Sequence, residues 1–256
     1  MRFRYYLKSD KGGFRENNQD SAYARSIRTS KGHAFLGIVC DGMGGLSHGE
    51  LASKTVADAF AEWFEQEFRY IMYDGDISQA VFVQWSQIVT SVNSELRRIS
   101  GEMGCQMGTT LSVVLLFSGR YYSAQIGDSR VYLMSGEDIC QITRDHSLVA
   151  DMAQKGLMTE NEINSSSNRN VLTRCLGVME SVSADYYSGE IVKNDSFLLC
   201  SDGLYSGLSC VQMAGLLGGA PFHKGNIRHR VDSAVNRRIT GGEKDNITAL
   251  MVRVVG

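Results

Sequence analysis

Phe35-Leu36-Gly37-Ile38-Val39-Cys40-Asp41-Gly42-Met43-Gly44-Gly45-Leu46-Ser47-His48 is the stretch on which the reading of the chain turns. Its apolar run stops at a carboxylate and passes straight into glycines. Runs of this kind, β-branched in part and bounded by Gly, predict a buried strand. Asp41 then stands at a strand exit, and Gly42 lets the backbone come close to whatever that carboxylate binds. Ser47-x-x-Glu50 has the pattern of a capping box and predicts a helix start immediately after the loop.

On the N-terminal side, the alternation of Phe3, Tyr5 and Leu7 predicts a first strand, and Asp10-Lys11-Gly12-Gly13 is a turn signal. Phe14-Arg15-Glu16-Asn17-Asn18-Gln19-Asp20 is a polar stretch running from a guanidinium to a carboxylate. Ser21 to Ile27 and His33 to Cys40 predict a strand pair joined at Lys31-Gly32. On the C-terminal side, Leu51, Val56, Ala59, Phe60, Trp63, Phe64 and Phe68 recur at helical spacing and predict a helix over 51–70. Val81, Trp85, Ile88, Val92, Leu96 and Ile99 predict a second over 77–99, stopped at Gly101. Both stripes read as core-covering faces.

Short β-prone runs at Thr109–Phe117, Tyr121–Ile126 and Val131–Met134, separated by tight turns, indicate an antiparallel sheet rather than βαβ units. Asp145-His146-Ser147 precedes a short helix ending at Gly156, and Thr159-x-x-Glu162 is a further capping box. Phe197-Leu198-Leu199-Cys200-Ser201-Asp202-Gly203 then repeats the opening pattern of apolar run, carboxylate and glycine. Helices over 209–217 and 226–239 follow, and Asp245-Asn246 leads into a last strand, Ile247–Val255. With no repeat and a single proline, Pro221, the order of elements favours one α+β domain over residues 1–256, with sheets packed face to face and helices outside.

The composition, 43% apolar and 21% charged, is that of an ordinary globular chain. A net charge of −2 gives no basic footprint, which argues against nucleic acid as a partner. The N-terminus lacks the h-region of a signal peptide, and no apolar stretch approaches the ~20 residues of a membrane span. We therefore expect a cytoplasmic protein with no membrane partner. Six cysteines, without a C-x-x-C pair, read as buried or inert thiols.

Asp20, Asp41, Asp128, Asp202 and Asp245 all stand at strand ends or in turns. Any one of them alone is well explained as a turn former. Repetition weakens that explanation, since Asp41 and Asp202 both terminate apolar runs. If such carboxylates converge, two of them ~4 Å apart repel by about 4 kcal/mol at an effective dielectric near 20, and they need a cation. Asp side chains with a backbone carbonyl suit hard ions such as Mg²⁺ or Mn²⁺ rather than zinc. A carboxylate bridging two ions gives the arrangement that activates water for in-line attack on a phosphoester, with Arg15 as a bidentate phosphoryl donor. The glycine loop fails as a nucleotide cradle, because Glu50 stands where a P-loop needs Lys and Ser47 replaces the third glycine of a dinucleotide fingerprint.

Taken together, these tags resemble the metal-dependent Ser/Thr protein phosphatases of the PPM family (protein phosphatase type 2C), in particular compact bacterial members. The matching pieces are Arg15–Asp20, Asp41-Gly42-Met43-Gly44-Gly45, Gly108-Thr109-Thr110-Leu111, Gly127-Asp128-Ser129-Arg130, Asp145-His146-Ser147, Arg169–Arg174, Ser201-Asp202-Gly203 and Asp245-Asn246-Ile247-Thr248. Eight tags in family order span nearly the whole chain.

The resemblance implies a four-layer αββα sandwich with a dinuclear Mn²⁺ or Mg²⁺ site at one edge. Asp41 would bridge both ions, the Gly42 carbonyl would bind one, and Asp202 with Asp245 would complete the second. Asp20 would hold water on the metal, Asp128 with Asp202 would match a weaker third-ion site, and Arg15 would bind the substrate phosphate. Residues 147–168 would form a flap. The implied reaction is in-line attack on phosphoserine or phosphothreonine without a phosphoenzyme, reversing a Ser/Thr kinase, and we expect a monomer. Met43 and Gln19 depart from common family residues, and His48 is the nearest alternative proton donor. The rival functions are a non-catalytic phosphoprotein-binding regulator and a metallohydrolase of small phosphoesters.

Overall fold

The computed structural model describes residues 1–43, 48–158, 168, 171–222 and 224–256. The elements in chain order are β1 (Arg2–Asp10), β2 (Asp20–Thr29), β3 (Gly32–Asp41), α1 (Gly49–Gln66), α2 (Phe68–Ile71) and α3 (Ile77–Met103). There follow β4 (Leu111–Phe117), β5 (Arg120–Ile126), β6 (Arg130–Ser135), β7 (Asp138–Gln141), α4 (Leu148–Gln154), β8 (Asp185–Glu190) and β9 (Ser196–Cys200). Three short to medium helices, α5 (Asp202–Tyr205), α6 (Cys210–Leu216) and α7 (Ile227–Thr240), precede the final strand β10 (Ile247–Val255).

The strands form two antiparallel five-stranded sheets. One has the order β1-β10-β9-β6-β7 and the other β2-β3-β4-β5-β8. Phe35, Val39, Val114 and Leu116 of the second sheet meet Phe197, Leu199, Leu250 and Val252 of the first in a wholly buried layer. The outer face of the second sheet carries α1 and α3 on Leu36, Ile38, Val113 and Leu115, with Phe60, Trp63 and Trp85 among the helix residues. The first sheet carries α5, α6 and α7 through Leu204, Met213 and Val231. The result is the αββα sandwich with three hydrophobic layers, each large side chain contributing roughly 1.5–3 kcal/mol by leaving water.

The stripe of aromatics on the first helices is packing. Trp63 and Trp85 meet edge to face at 5.6 Å, and Phe68 meets Phe117 at 5.1 Å. The single helix expected over 51–70 is two: α1 stops at Gln66, and Phe68 and Ile71 of α2 turn into the core. α3 runs through the expected stop at Gly101 and ends on Gly104, whose φ of +62° supplies the left-handed cap. Two strands, β7 and β8, carry no counterpart in the sequence reading. α4 is capped as expected by Ser147, which accepts from the Ala150 amide. The Ser47 capping residue, part of the proposed flap (159–167) and the Thr159 capping box lie outside the described residues; α1 starts at Gly49 with His48 at its cap in the left-handed region. All six cysteines are free thiols, and among the described residues no helix is long and apolar enough to cross a membrane.

Candidate metal centre

β2 begins on Asp20 and β3 ends on Asp41, and the two are directly opposed in the antiparallel register. Opposed residues point to the same face with Cβ atoms ~4.5–5.5 Å apart. The hairpin therefore sets two carboxylates side by side at the rim of the sheet. Asp41 is fixed through its backbone: its amide donates to Thr110 Oγ1 at 2.9 Å, and its carbonyl accepts from Thr109 Oγ1 at 2.9 Å and from the Thr110 amide at 2.9 Å. At Gly42 a Cβ would lie 2.3 Å from the Gly49 carbonyl oxygen and 2.5 Å from that of Gln19. Glycine here lets the start of α1 close on the strand end. Met43 donates its amide to the Gly108 carbonyl at 3.0 Å, and its terminal methyl occupies the space a side chain at 108 would need.

The other sheet brings the remaining carboxylates to the same rim. Asp202 follows β9 and opens α5, and Asp245 stands two residues before β10. Ser201 ties them to the hairpin, since its hydroxyl donates to Asp20 Oδ2 at 2.7 Å and accepts from the Thr248 amide at 3.0 Å. Gly203 passes so close to Asn246 that a Cβ would meet its carbonyl oxygen at 2.1 Å. Asn246 is a buried hub: it accepts from the Gln19 amide at 2.9 Å and donates to the Lys11 and Asn17 carbonyls at 3.0 and 3.1 Å. The polar stretch 11–19 is thus pinned to the start of β10.

Asp128 lies in the turn where the chain crosses from one sheet to the other, between β5 and β6. Gly127 takes φ +90° there and donates its amide to His146 Nδ1 at 3.3 Å, while the His146 amide donates to the Gly127 carbonyl at 2.8 Å. With Nδ1 accepting, Nε2 carries the proton and donates to Asp185, 3.0 Å away. Burial holds the His146 pKa below its ordinary value, so the ring stays neutral. On the other side of the turn, Arg130 forks onto Asp145, stacks on the Tyr205 ring at 3.6 Å, and Tyr205 donates to the Asp128 carbonyl at 2.8 Å.

Four of these carboxylates are raised, by burial first and then by neighbouring charge. Burial, then Asp20, Asp202, Asp128 and Asp245, pushes Asp41 well above the usual carboxylate range. Burial and then Asp128 and Asp245 do the same to Asp202. Burial raises Asp20 to about 6, opposed by hydrogen bonds from Thr248 and Ser201. Asp128 rises to about 7 through burial and Asp145. The buried Oδ1 atoms of Asp20 and Asp202 have no hydrogen-bond partner. An all-oxygen donor set with orphaned carboxylate atoms fits hard divalent cations.

Among the described residues, no group of three or more His, Cys, Asp or Glu side chains stands placed to hold a metal ion. Arg15 holds Asp245 with Nε at 3.1 Å and Nη2 at 2.8 Å, so that carboxylate faces a guanidinium. Gln19 turns its side-chain amide toward Glu50 at 3.4 Å. All seven residues singled out from the sequence gather at this rim. Ser201, Asn246 and His146, which brace the rim, sit inside the quoted tags, but their polar side chains carry no local mark in the sequence of what they hold.

Comparison with known proteins fits this geometry. The profile described as protein phosphatase 2C matches residues 15–216. The serine/threonine phosphatase Stp of Listeria monocytogenes is 28% identical over 248 residues, covering 96% of this chain and 94% of that protein. The crystal structure of Stp1, a serine/threonine phosphatase from Staphylococcus aureus, superposes with a TM-score of 0.84 at 29% identity, covering 100% of this chain and 96% of that one. The catalytic domain of the serine/threonine protein phosphatase PstP, solved in complex with two manganese ions, gives a TM-score of 0.77 at 29% identity over 99% of both chains. The fold and its rim of carboxylates thus define a protein phosphatase. The chain belongs to the protein phosphatase 2C family and with it to the protein serine/threonine phosphatases.

Proposed function

We propose that the chain hydrolyses phosphoserine and phosphothreonine in proteins at a dinuclear Mn²⁺ or Mg²⁺ centre, undoing the work of a Ser/Thr kinase. The observation that carries this reading is the gathering of Asp20, Asp41, Asp128, Asp202 and Asp245 from two sheets at one rim with buried oxygens unpartnered. Asp41 would bridge the ions with the Gly42 carbonyl beside it, Asp202 and Asp245 would complete the second, and Asp128 with Asp202 would take a weaker third. Bound ions would neutralise the cluster, polarise the phosphoryl group and ready a water for in-line attack.

The remaining steps belong to the chain. Asp20, oriented by Ser201, accepts a proton-bearing water at the cluster through its open Oδ1. Asp245 would help hold the ions, and the Arg15 fork that grips it has the planar geometry to match two phosphoryl oxygens. Arg15 then orients phosphorus for attack. The enzyme on this reading acts as a cytoplasmic monomer on phosphoproteins.

The test is phosphopeptide turnover with Mn²⁺, with Mg²⁺ and with chelator, run beside Asp41→Asn. Turnover should require metal and vanish in the variant. Activity that survives chelation, or a variant that retains it, overturns the proposal.

A further inference from the structure

A second charged site lies at the other end of the first sheet. Arg4 of β1 and Arg253 of β10 are directly opposed in register. Like charges directly opposite across an antiparallel pair destabilise it. Arg253 is 7% exposed, and its guanidinium donates to Ser196 Oγ and to the Gly225 and Phe222 carbonyls, all neutral acceptors. Arg230 behind it also donates to carbonyls alone, those of Leu217, Gly219, Pro221 and Lys224. Burial, Arg230 and Arg4 together push the Arg253 guanidinium down from its ordinary pKa. Asp232, at the edge of this region, is shared by Tyr6, Lys8 and Arg228.

Arg4, Arg228 and Arg253 line one groove of about 570 Å³ between the edge strand β1 and the first turn of α7, with Tyr5 and Tyr6 in its walls. Positive charge therefore exceeds negative in a concave site of a chain whose net charge is −2. The metal rim poses the same problem with the opposite sign. A guanidinium fork meets a phosphate-type oxyanion in two parallel hydrogen bonds, and a groove of this volume admits a side chain rather than a flat surface.

We infer that this groove docks a phosphate-class oxyanion carried on a phosphorylated segment of the substrate protein, gripped by Arg4 and Arg228 with Arg253 behind them. The carrier rests on the proposed phosphatase function; the anion site does not. Six residues of β10 separate Ile247, beside the metal rim, from Arg253, a rise of about 20 Å. A docking phosphate must then lie at least about six residues from the one being hydrolysed.

Two measurements test this. In the full chain with chelator, inorganic phosphate is titrated at constant ionic strength while the arginine Nε–H signals are followed by NMR. Saturable shifts of Arg4, Arg228 and Arg253, lost in Arg4→Glu and weakened in Arg228→Gln, support the site; shifts reproduced by chloride, or unchanged in Arg4→Glu, overturn it. In the Mn²⁺-loaded enzyme, phosphoserine peptides carry a non-hydrolysable phosphonate residue three or ten positions away. The distant phosphonate should lower KM about three- to tenfold with kcat unchanged, and Arg4→Glu should erase that gain while leaving the unmodified peptide's turnover intact. A gain independent of spacing, or binding to phosphatidylserine vesicles without any peptide preference, overturns the docking assignment. If no peptide is turned over, the phosphatase reading fails while the phosphate titration still decides the anion site.

Discussion

Asp41→Asn removes one of two negative charges that β2 and β3 hold face to face. It should therefore separate function from stability. Activity falls to background, while the metal-free protein gains on the order of 1–2 kcal/mol, a fraction of the ~4 kcal/mol repulsion of close carboxylates. Thermal melting in chelator checks this, and a lower Tm than wild type would contradict it. Gly42→Ala acts in the other direction. With a Cβ 2.3 Å from the Gly49 carbonyl oxygen, α1 must shift off the strand end, and we expect a loss of about 2–4 kcal/mol in denaturant unfolding together with weaker Mn²⁺ binding. Asp41 and Asp202 were legible because each cuts short an apolar run. Asn246 and Ser201 were not, because their importance lies in hydrogen bonds to residues some 180 to 230 positions away in sequence.

The brace around the β5–β6 turn works as a unit. His146→Ala would leave the Gly127 amide and Asp185 without their shared partner, at a cost of about 1–3 kcal/mol. Because that turn carries Asp128 and not Asp41, binding of the weakest ion should suffer most. Isothermal titration with Mn²⁺ checks this, and a uniform loss across all ions would contradict it. The elements hidden from the sequence share a physical reason. β7 and β8 each close one edge of a sheet, where one flank needs no apolar partner, and Asp138-Ile139-Cys140-Gln141 and Asp185–Glu190 lack an apolar run. The central strands β3, β4, β9 and β10, buried nearly end to end, were plain in sequence. The stop of α3 was misplaced because Gly101 and Gly104 look alike in sequence, and only the second takes the left-handed turn.

For the whole molecule, the raised carboxylates make stability depend on pH in a stated direction. Below about pH 4 the cluster is protonated in both folded and unfolded chains and costs little. As pH rises through about 6 at Asp20 and about 7 at Asp128, the folded protein gives up protons that the unfolded chain released earlier. Metal-free stability should therefore decline between about pH 4 and 7. Metal ions take the place of those protons, so Mn²⁺ should raise Tm by more at pH 7.5 than at pH 5.5, growing with concentration. Equal gains at both pH values would count against the cluster. The fold class was readable from the order of strands and helices, whereas the meeting of five distant aspartates at one rim needed the two sheets to be laid against each other. Asp20 and Asp41 hang from one of those sheets, Asp202 and Asp245 from the other, and Asp128 from the strand crossing between them. Ions held there would act mechanically as rivets through the sandwich. Pulled across its layers in a force experiment, the protein should yield at a higher rupture force with Mn²⁺ than without it.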